Sequence, residues 1–347
     1  MKKIICTIQT MIKAKEFHRY LLFPLALLYW GIIFWRNLFY NFNFFITHKI
    51  KSKVISVGNI SLGGTGKTPV VIFLALLLTK RGRKVAILSR GYGRATKGLF
   101  LVSKGDGLIL CSWEDCGDEP YMMAQRLNDL PILVDENRHR GSLYLEKNFN
   151  PDIIIMDDGF QHRALHRDLD IVLVNGGDNI KNHRLLPYGI LREPWNNIKR
   201  ANVIMVTKKK PNPLLQRKIK EASLPIIHTS VNPVLRYSDI KPRMKANKEK
   251  SVYLVSGLGN PTFFKKTVEH LGFNICGIKN FQDHYHYKEN DIFQLETIAK
   301  QSGASLVLTT EKDWLKIKGL RPKMAFGIID INMRVLNEDI LLDLIDL

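Results

Sequence analysis

Residues 54–69, VISVGNISLGGTGKTP, leave this chain few ways to fold. An apolar run leads into a glycine-rich loop ending in Gly66, Lys67 and Thr68, and an apolar helical run follows. Strand, loop and helix in that order are the setting in which a phosphate-binding loop works. Glycines let backbone N–H groups turn toward phosphate oxygens, and the helix behind them presents the positive end of its dipole. Lys67 is expected to reach the β- and γ-phosphates and the Thr68 hydroxyl to ligate Mg²⁺. The strict pattern has a glycine five residues before Gly66. Here that position is Ser61, and the additional glycines are Gly63 and Gly64, with Thr65 between them and Gly66.

The rest of the chain extends the same architecture. Short β-branched runs at 85–88, 132–134, 153–156, 171–174 and 203–206 are bounded by Asp, Asn or Gly, as buried parallel strands are. Helical stretches lie between several of them, which predicts a doubly wound α/β sheet. KKKPNP at 208–213 punctuates the chain, and the charged, proline-containing stretch that follows predicts a linker ending near 250. Beyond it, 252–256 with the turn GLGNP opens a second strand–loop–helix unit, followed by strand-like 306–309 and 325–329.

Several polar groups sit where chemistry needs them. The strand at 153–156 runs into Asp157-Asp158-Gly159-Phe160-Gln161-His162, a carboxylate at the C-terminal end of an apolar strand. That is the Walker B arrangement, in which the Asp holds Mg²⁺ directly or through water. Gly117-Asp118-Glu119-Pro120 opens a helical stretch, and its acids fit either a helix N-terminus or a general base. Leu191-Arg192-Glu193-Pro194 fits a surface ion pair equally well as an Arg on transferring phosphate beside a Glu in the metal shell. Asp283-His284-Tyr285-His286-Tyr287 is a dense polar-aromatic cluster whose Asp can orient an imidazole, and spacing leaves His284 and His286 equivalent. No complementary Cys/His group argues for zinc there. Thr207-Lys208 and Thr309-Thr310-Glu311-Lys312-Asp313 resemble guanine-specificity motifs, but Lys210 stands where the Asp after Thr207-Lys208 belongs, which argues against a GTPase.

Charge narrows the partners. The chain of 347 residues has 52 Lys+Arg against 32 Asp+Glu, a net charge of +20, which calls for a polyanionic or membrane partner. Eight of those surplus charges precede Val54, where nine basic residues accompany the single acid Glu16. Within that region 21–35, LLFPLALLYWGIIFW, is fifteen uncharged residues, shorter than a bilayer span and interrupted by Pro24 and Gly31. No small-residue cleavage site follows, which argues against a signal peptide. A helix lying in or dipping into the inner leaflet, with basic flanks on anionic headgroups, is expected, with a buried helix or a single span as alternatives. The four cysteines show no disulfide or metal spacing and read as free thiols.

Taken in order, GNISLGGTGKTP, SRGYGR, GDEP, DDGFQH, LREP, SGLGNP with Phe263-Phe264, the DH of Asp283-His284, and TTEKD resemble the tetraacyldisaccharide 4′-kinase family, the lipid A 4′-kinases of the Gram-negative inner membrane. Ser61 belongs to that family's version of the loop. The resemblance implies transfer of the ATP γ-phosphate to the 4′-hydroxyl of a tetraacyl glucosamine disaccharide 1-phosphate, a step of lipid A and lipopolysaccharide biosynthesis. It implies two α/β/α sandwich domains with a cleft between them: a membrane-associated helix and basic flank over 1–53, a P-loop kinase domain over 54–225, a linker over 226–250, and a smaller α/β domain over 251–347. It further implies that Asp118 and His284 activate the hydroxyl, assisted by Lys67 and Arg192. Ser61, Gly63, Gly64, Thr65, Gly66, Lys67 and Thr68 would hold ATP, and Thr68, Asp157, Asp158 and Glu193 would surround Mg²⁺. Arg90, Glu119, Arg138, Gln161 and His162 would line the substrate region. The expected partners are the lipid disaccharide and the cytoplasmic face of the inner membrane, with no nucleic acid and no obligate protein partner. The rival reading is a membrane-associated regulatory ATPase of the partition or division type. Those carry a lysine directly before the two glycines, where this chain has Leu62, and their membrane helix is commonly C-terminal.

Overall fold

The computed structural model describes residues 22–238, 251–259 and 261–346. Five of the N-terminal basic residues (Lys2, Lys3, Lys13, Lys15, Arg19), Cys6, the last twelve residues of the expected linker and Asn260 lie outside the described residues. In chain order the first half comprises α1 (Phe23–Asn41), β1 (Lys53–Asn59), α2 (Lys67–Lys80), β2 (Val85–Ser89), β3 (Phe100–Lys104), α3 (Trp113–Cys116), α4 (Asp118–Arg126), β4 (Pro131–Val134), α5 (Arg138–Phe149), β5 (Ile153–Asp157), β6 (Leu169–Asn175), β7 (Val203–Thr207) and α6 (Pro213–Lys220). The second half comprises β8 (Ile226–Tyr237), β9 (Ser251–Ser256), α7 (Pro261–His270), β10 (Asn274–Asn280), α8 (Glu289–Gln301), β11 (Leu306–Thr310), α9 (Glu311–Ile317), β12 (Phe326–Val335) and α10 (Glu338–Asp346).

The mixed α/β fold is built on one sheet. Twelve strands pair in the order β10-β9-β11-β12-β8-β7-β6-β1-β5-β2-β4-β3. The expected linker thus begins at 226 with a strand that joins the two halves of the sheet. That stretch is β8, which pairs parallel with β7 through Ile226–His228 and antiparallel with β12 through the remainder. Its side chains alternate between partly covered and exposed, so it lacks the continuous apolar signature that marks the other strands. Pro233 within it, opposite Ile331, weakens the signal further.

Helices cover both faces. Along β6, Ile171 and Leu173 join a core with α2, α4 and α10, while Val172 and Val174 join the opposite core with Phe160 and α6. The second half repeats this, with Val307 on the α8 side and Leu306 and Leu308 on the α7 side. The C-terminus returns to the first half: Val335, Leu341 and Ile345 are buried in the α2 core. That one core therefore takes in residues from both sides of 251.

α1 stands apart. Only Ala26 and Ile33 of its nineteen residues are buried, whereas Leu25, Leu28, Trp30, Ile32, Phe34 and Trp35 are all exposed. No described helix is long and apolar enough to cross a membrane.

Candidate active site

β1 lies between β5 and β6, with Val57 in register with Asp157. The phosphate loop and the Walker B carboxylate therefore emerge side by side. The loop is held from beneath. Asn59 Nδ2 donates to the Ser61 carbonyl (2.7 Å) and to Thr65 Oγ1 (3.0 Å), and Thr207 Oγ1 donates to the Thr65 carbonyl (2.7 Å). Leu62 and Arg192 exchange backbone bonds with Ile190 and Ile60, fastening the loop to the LREP segment. Gly63 and Gly66 take φ of 111° and 90°, which a side chain would strain. Gly66 caps α2 without a side-chain bond, and no acid stands in the first turn, so the leading N–H groups are left for an anion.

Lys67 Nζ lies 3.5 Å from Asp158 Oδ1, and Arg192 Nη1 donates to both Asp158 oxygens (2.8 and 3.0 Å) and to Gln161 Oε1 (3.3 Å). Burial pushes the Asp158 carboxyl up, but Lys67, Arg192 and Arg138 outweigh it and hold the group well below the usual range. Asp157 differs. Its Oδ2 accepts from Ser89 Oγ (2.8 Å), while the buried Oδ1 has no partner. Burial, with Glu119 and Asp158 nearby, pushes it up to about 7 against the pull of Lys67. A buried carboxylate oxygen without a donor, on the strand next to the one that leads into the loop, fits a divalent cation or its water. Among the described residues no group of three or more His, Cys, Asp or Glu forms an all-protein metal cage. Mg²⁺ carried by nucleotide phosphates needs none.

Glu193, expected near Mg²⁺, is held here by side chains of α1 and of the stretch after the LREP segment. Its side chain is fully buried, and both oxygens are engaged. Oε1 lies 2.9 Å from Arg36 Nη2, and Oε2 contacts Asn37 (3.1 Å), Asn197 (2.8 Å) and Arg200 (2.9 Å). The carboxylate fastens α1, together with a hydrogen bond from Tyr29 to the Arg192 carbonyl (2.7 Å).

A second polar cluster assembles across the sheet halves. His284 Nδ1 lies 2.8 Å from Asp118 Oδ2, whereas the His286 ring rests against Trp113 with centroids 4.8 Å apart. The geometry thus separates two histidines that spacing could not. Lys312 Nζ, which can only donate, lies 3.3 Å from His284 Nε2, so the neutral ring accepts there and turns its Nδ1–H to Asp118. Burial raises the Asp118 carboxyl, but His284, Lys316 and Lys312 outweigh it and hold it well below the usual range. The SRGYGR loop links the clusters: Ser89 binds Asp157, and the Tyr92 ring lies 5.6 Å from that of His284. Asp158, Lys208 and His284 all take positive φ (52°, 67°, 61°), a conformation non-glycine residues adopt at some cost.

The remaining expected residues fall as follows. Arg138 is buried and donates to the Asp135 and Asp157 carbonyls; burial pushes it down to about 10. Gln161 Nε2 donates to the Asn59 carbonyl (2.9 Å). His162 Nε2 is buried without a partner, and burial with Arg138, Arg167 and Arg90 pushes the ring down to about 4. Arg90 is exposed, and Glu119 is half-buried near both Asp157 and Lys312. Ser61 is buried, its Oγ 3.4 Å from Asp178. Sequence reasoning missed Asp178, Lys208, Lys312 and Lys316. Lys208 lies over the Phe263 ring at 5.4 Å, beside Gly64. Lys208 and Lys312 follow strands closely and sit in the TK and TTEKD stretches, whereas Lys316, within α9, carried no such signal.

An uncapped helix behind a glycine loop, with a Walker B acid on the neighbouring strand, is how P-loop phosphotransferases and ATPases are built, and this chain is one by fold and by site. Similarity narrows the class. The profile of the tetraacyldisaccharide-1-P 4′-kinase family matches residues 18–346, and the chain belongs to that family. It is 36% identical over 324 residues to the tetraacyldisaccharide 4′-kinase of Aquifex aeolicus, covering 88% of this chain and 92% of that one. The enzyme of the same name from Desulfotalea psychrophila is 36% identical over 304 residues, 85% of this chain and 86% of its own. The crystal structure of LpxK from Aquifex aeolicus in complex with ATP superposes with a TM-score of 0.74 at 35% identity, covering 94% of this chain and 98% of that one.

Proposed function

We propose that this chain transfers the γ-phosphate of ATP to the 4′-hydroxyl of a tetraacyl glucosamine disaccharide 1-phosphate. The observation that carries the reading is the pairing of a phosphate loop with a separate, charge-stabilised Asp118–His284 pair in a chain of this family.

Phosphoryl transfer is mostly positioning and charge neutralisation. The first-turn N–H groups of α2 and Lys67 bind the nucleotide phosphates. Thr68 and Asp157 would hold Mg²⁺, which would supply positive charge to offset that of the nucleotide phosphates. Arg192 moves its charge from Asp158 toward the transferring group. Asp118 is ionised at neutral pH but weakly basic, so it accepts the hydroxyl proton late, as the oxygen–phosphorus bond forms. His284 orients that carboxylate. Arg90, Arg138, Gln161 and His162 surround the acceptor region, and the β9–β12 half closes on the P-loop half to exclude water.

α1 supports a membrane-surface enzyme. Its contiguous exposed aromatic and aliphatic side chains suit the acyl boundary, on the cytoplasmic face of the inner membrane. An anionic amphiphilic substrate would be met there by an aromatic helix with basic residues before and after it in the sequence.

The test is phosphorylation of the lipid disaccharide 1-phosphate in detergent micelles with Mg-ATP. A new phosphomonoester at the 4′ position supports the reading. Nucleotide binding without any lipid product refutes it and favours a regulatory ATPase.

A further inference from the structure

α9 begins directly after β11, capped by Thr310, whose Oγ1 accepts from the Asp313 N–H. Its Lys312 and Lys316 stand one helical turn apart and converge on one carboxylate. Lys316 Nζ lies 2.7 Å from Asp118 Oδ2 with its side chain only 2% exposed. It also donates to the Tyr285 carbonyl (3.3 Å) and lies over the Trp113 ring at 5.1 Å. Lys312 Nζ contacts Asp283 Oδ1 (2.8 Å), His284 Nε2 (3.3 Å) and, more distantly, Asp118 Oδ2 (3.9 Å). A lysine this deeply buried is costly unless its charge meets a carboxylate. All of these contacts to Asp118 fall on the same oxygen, Oδ2.

We propose that Lys316 is a positioning residue of the phosphoryl transfer, fastening Asp118 Oδ2 so that Oδ1 is the oxygen presented to the acceptor hydroxyl. Lys312 completes the arrangement by fixing the tautomer of His284. Neither lysine touches the reacting atoms in this role. The groups acting on Asp118 are His284 from the loop after β10 and Lys312 and Lys316 from α9; around them, Glu119 and Asp283 act on Lys312, and Tyr92 from the loop after β2 lies against His284. Of these, Lys316 is the nearest cation, and removing it leaves a buried carboxylate whose protonation burial favours. The inference rests on Asp118 as the proton acceptor.

The test uses the full chain with lipid disaccharide 1-phosphate and Mg-ATP, comparing wild type, D118N, K316M and K316R from pH 5.5 to 9. D118N should lose about 100-fold or more in kcat with ATP affinity kept. K316M should lose about tenfold or more in kcat at pH 7, with KM for ATP within about twofold, and its kcat should fall toward the acid end of the range, where wild type, with Asp118 ionised throughout, shows no such limb from this group. K316R, which keeps the charge, should restore the wild-type profile. If K316M does not fold, K316Q carries the same expectation. Should D118N keep its turnover, the base reading fails and this inference with it. Should D118N be inactive while neutral variants at 316 keep the wild-type pH profile, whatever their melting temperature, only the role of Lys316 is overturned.

Discussion

Replacing Glu193 with alanine separates an anchor from a metal ligand. The side chain is fully buried between Arg36 and Arg200, which are 29% and 21% exposed. Removing one partner of a buried ion pair costs about 3–5 kcal/mol, because the remaining charges stay desolvated. The partial exposure of both arginines lets them rehydrate, which places the expected loss near the lower end, about 3 kcal/mol. With unfolding entropy of about 2.1 cal/mol/K per residue, a chain of 347 residues loses about 1.4 °C per kcal/mol, so the midpoint should fall by about 4 °C. Thermal unfolding of E193A without nucleotide reads this directly, and Mg²⁺ titration of ATP binding supplies the control. The anchor argument expects a lower midpoint with an unchanged Mg²⁺ dependence. An unchanged midpoint with weakened Mg²⁺ dependence would refute it and return Glu193 to the metal shell. The anchor also has a pH signature. Burial raises the Glu193 carboxyl, but Arg200 and Arg36 outweigh it and hold it below its usual value. Its contribution to stability is therefore complete above the unfolded value and lost as pH falls through the folded one.

Three further outcomes are expected. G58A should lower the melting midpoint, by about 1–3 kcal/mol in stability, and reduce kcat. A Cβ there would sit 2.5 Å from Phe160 Cβ and 2.6 Å from its backbone N, displacing the turn that carries Asp157 and Asp158; an unchanged midpoint counts against this. Burial pushes the Asp178 carboxyl up to about 6, so its ionisation opposes folding above that pH, and the penalty disappears below about pH 4. D178N should accordingly raise the unfolding midpoint at pH 8 and give no gain at pH 4, a difference readable by thermal melts at the two pH values. The double variant W30S/W35S should weaken partition to anionic vesicles while leaving ATP affinity within about twofold; undiminished partition would locate the membrane contact elsewhere.

The parts legible in the sequence were those written in consecutive residues. The loop at 60–66 follows an apolar strand and precedes an apolar helix, and local periodicity suffices for that. Asp157 was readable for the same reason, as the polar end of a buried strand. What escaped depends on distant pairing. β8 reads as linker because its pattern is polar and contains Pro233, yet its hydrogen bonds close the sheet between β7 and β12. Glu193 reads as a loop acid because its partners Arg36 and Asn37 lie more than 150 residues away. Lys312 looked like part of a nucleotide-specificity motif and Lys316 carried no signal, and only the packing of α9 against α4 brings them to Asp118. The two histidines at 284 and 286 were inseparable by spacing, because the backbone turn at His284, with φ of 61°, is set by tertiary context.

The docking of α1 bears on how a water-soluble version of this enzyme could be engineered. The helix is two-sided: Trp30, Phe34 and Trp35 point outward, while Tyr29, Arg36 and Asn37 fasten to the segment that holds Arg192. Truncating the helix strips away both sides together and leaves Glu193 charged beside an open groove. Repainting the outward side with Lys, Glu and Gln while keeping the inward residues would remove the apolar exterior and spare the brace. The helix is thus a handle that can be regloved without being cut off.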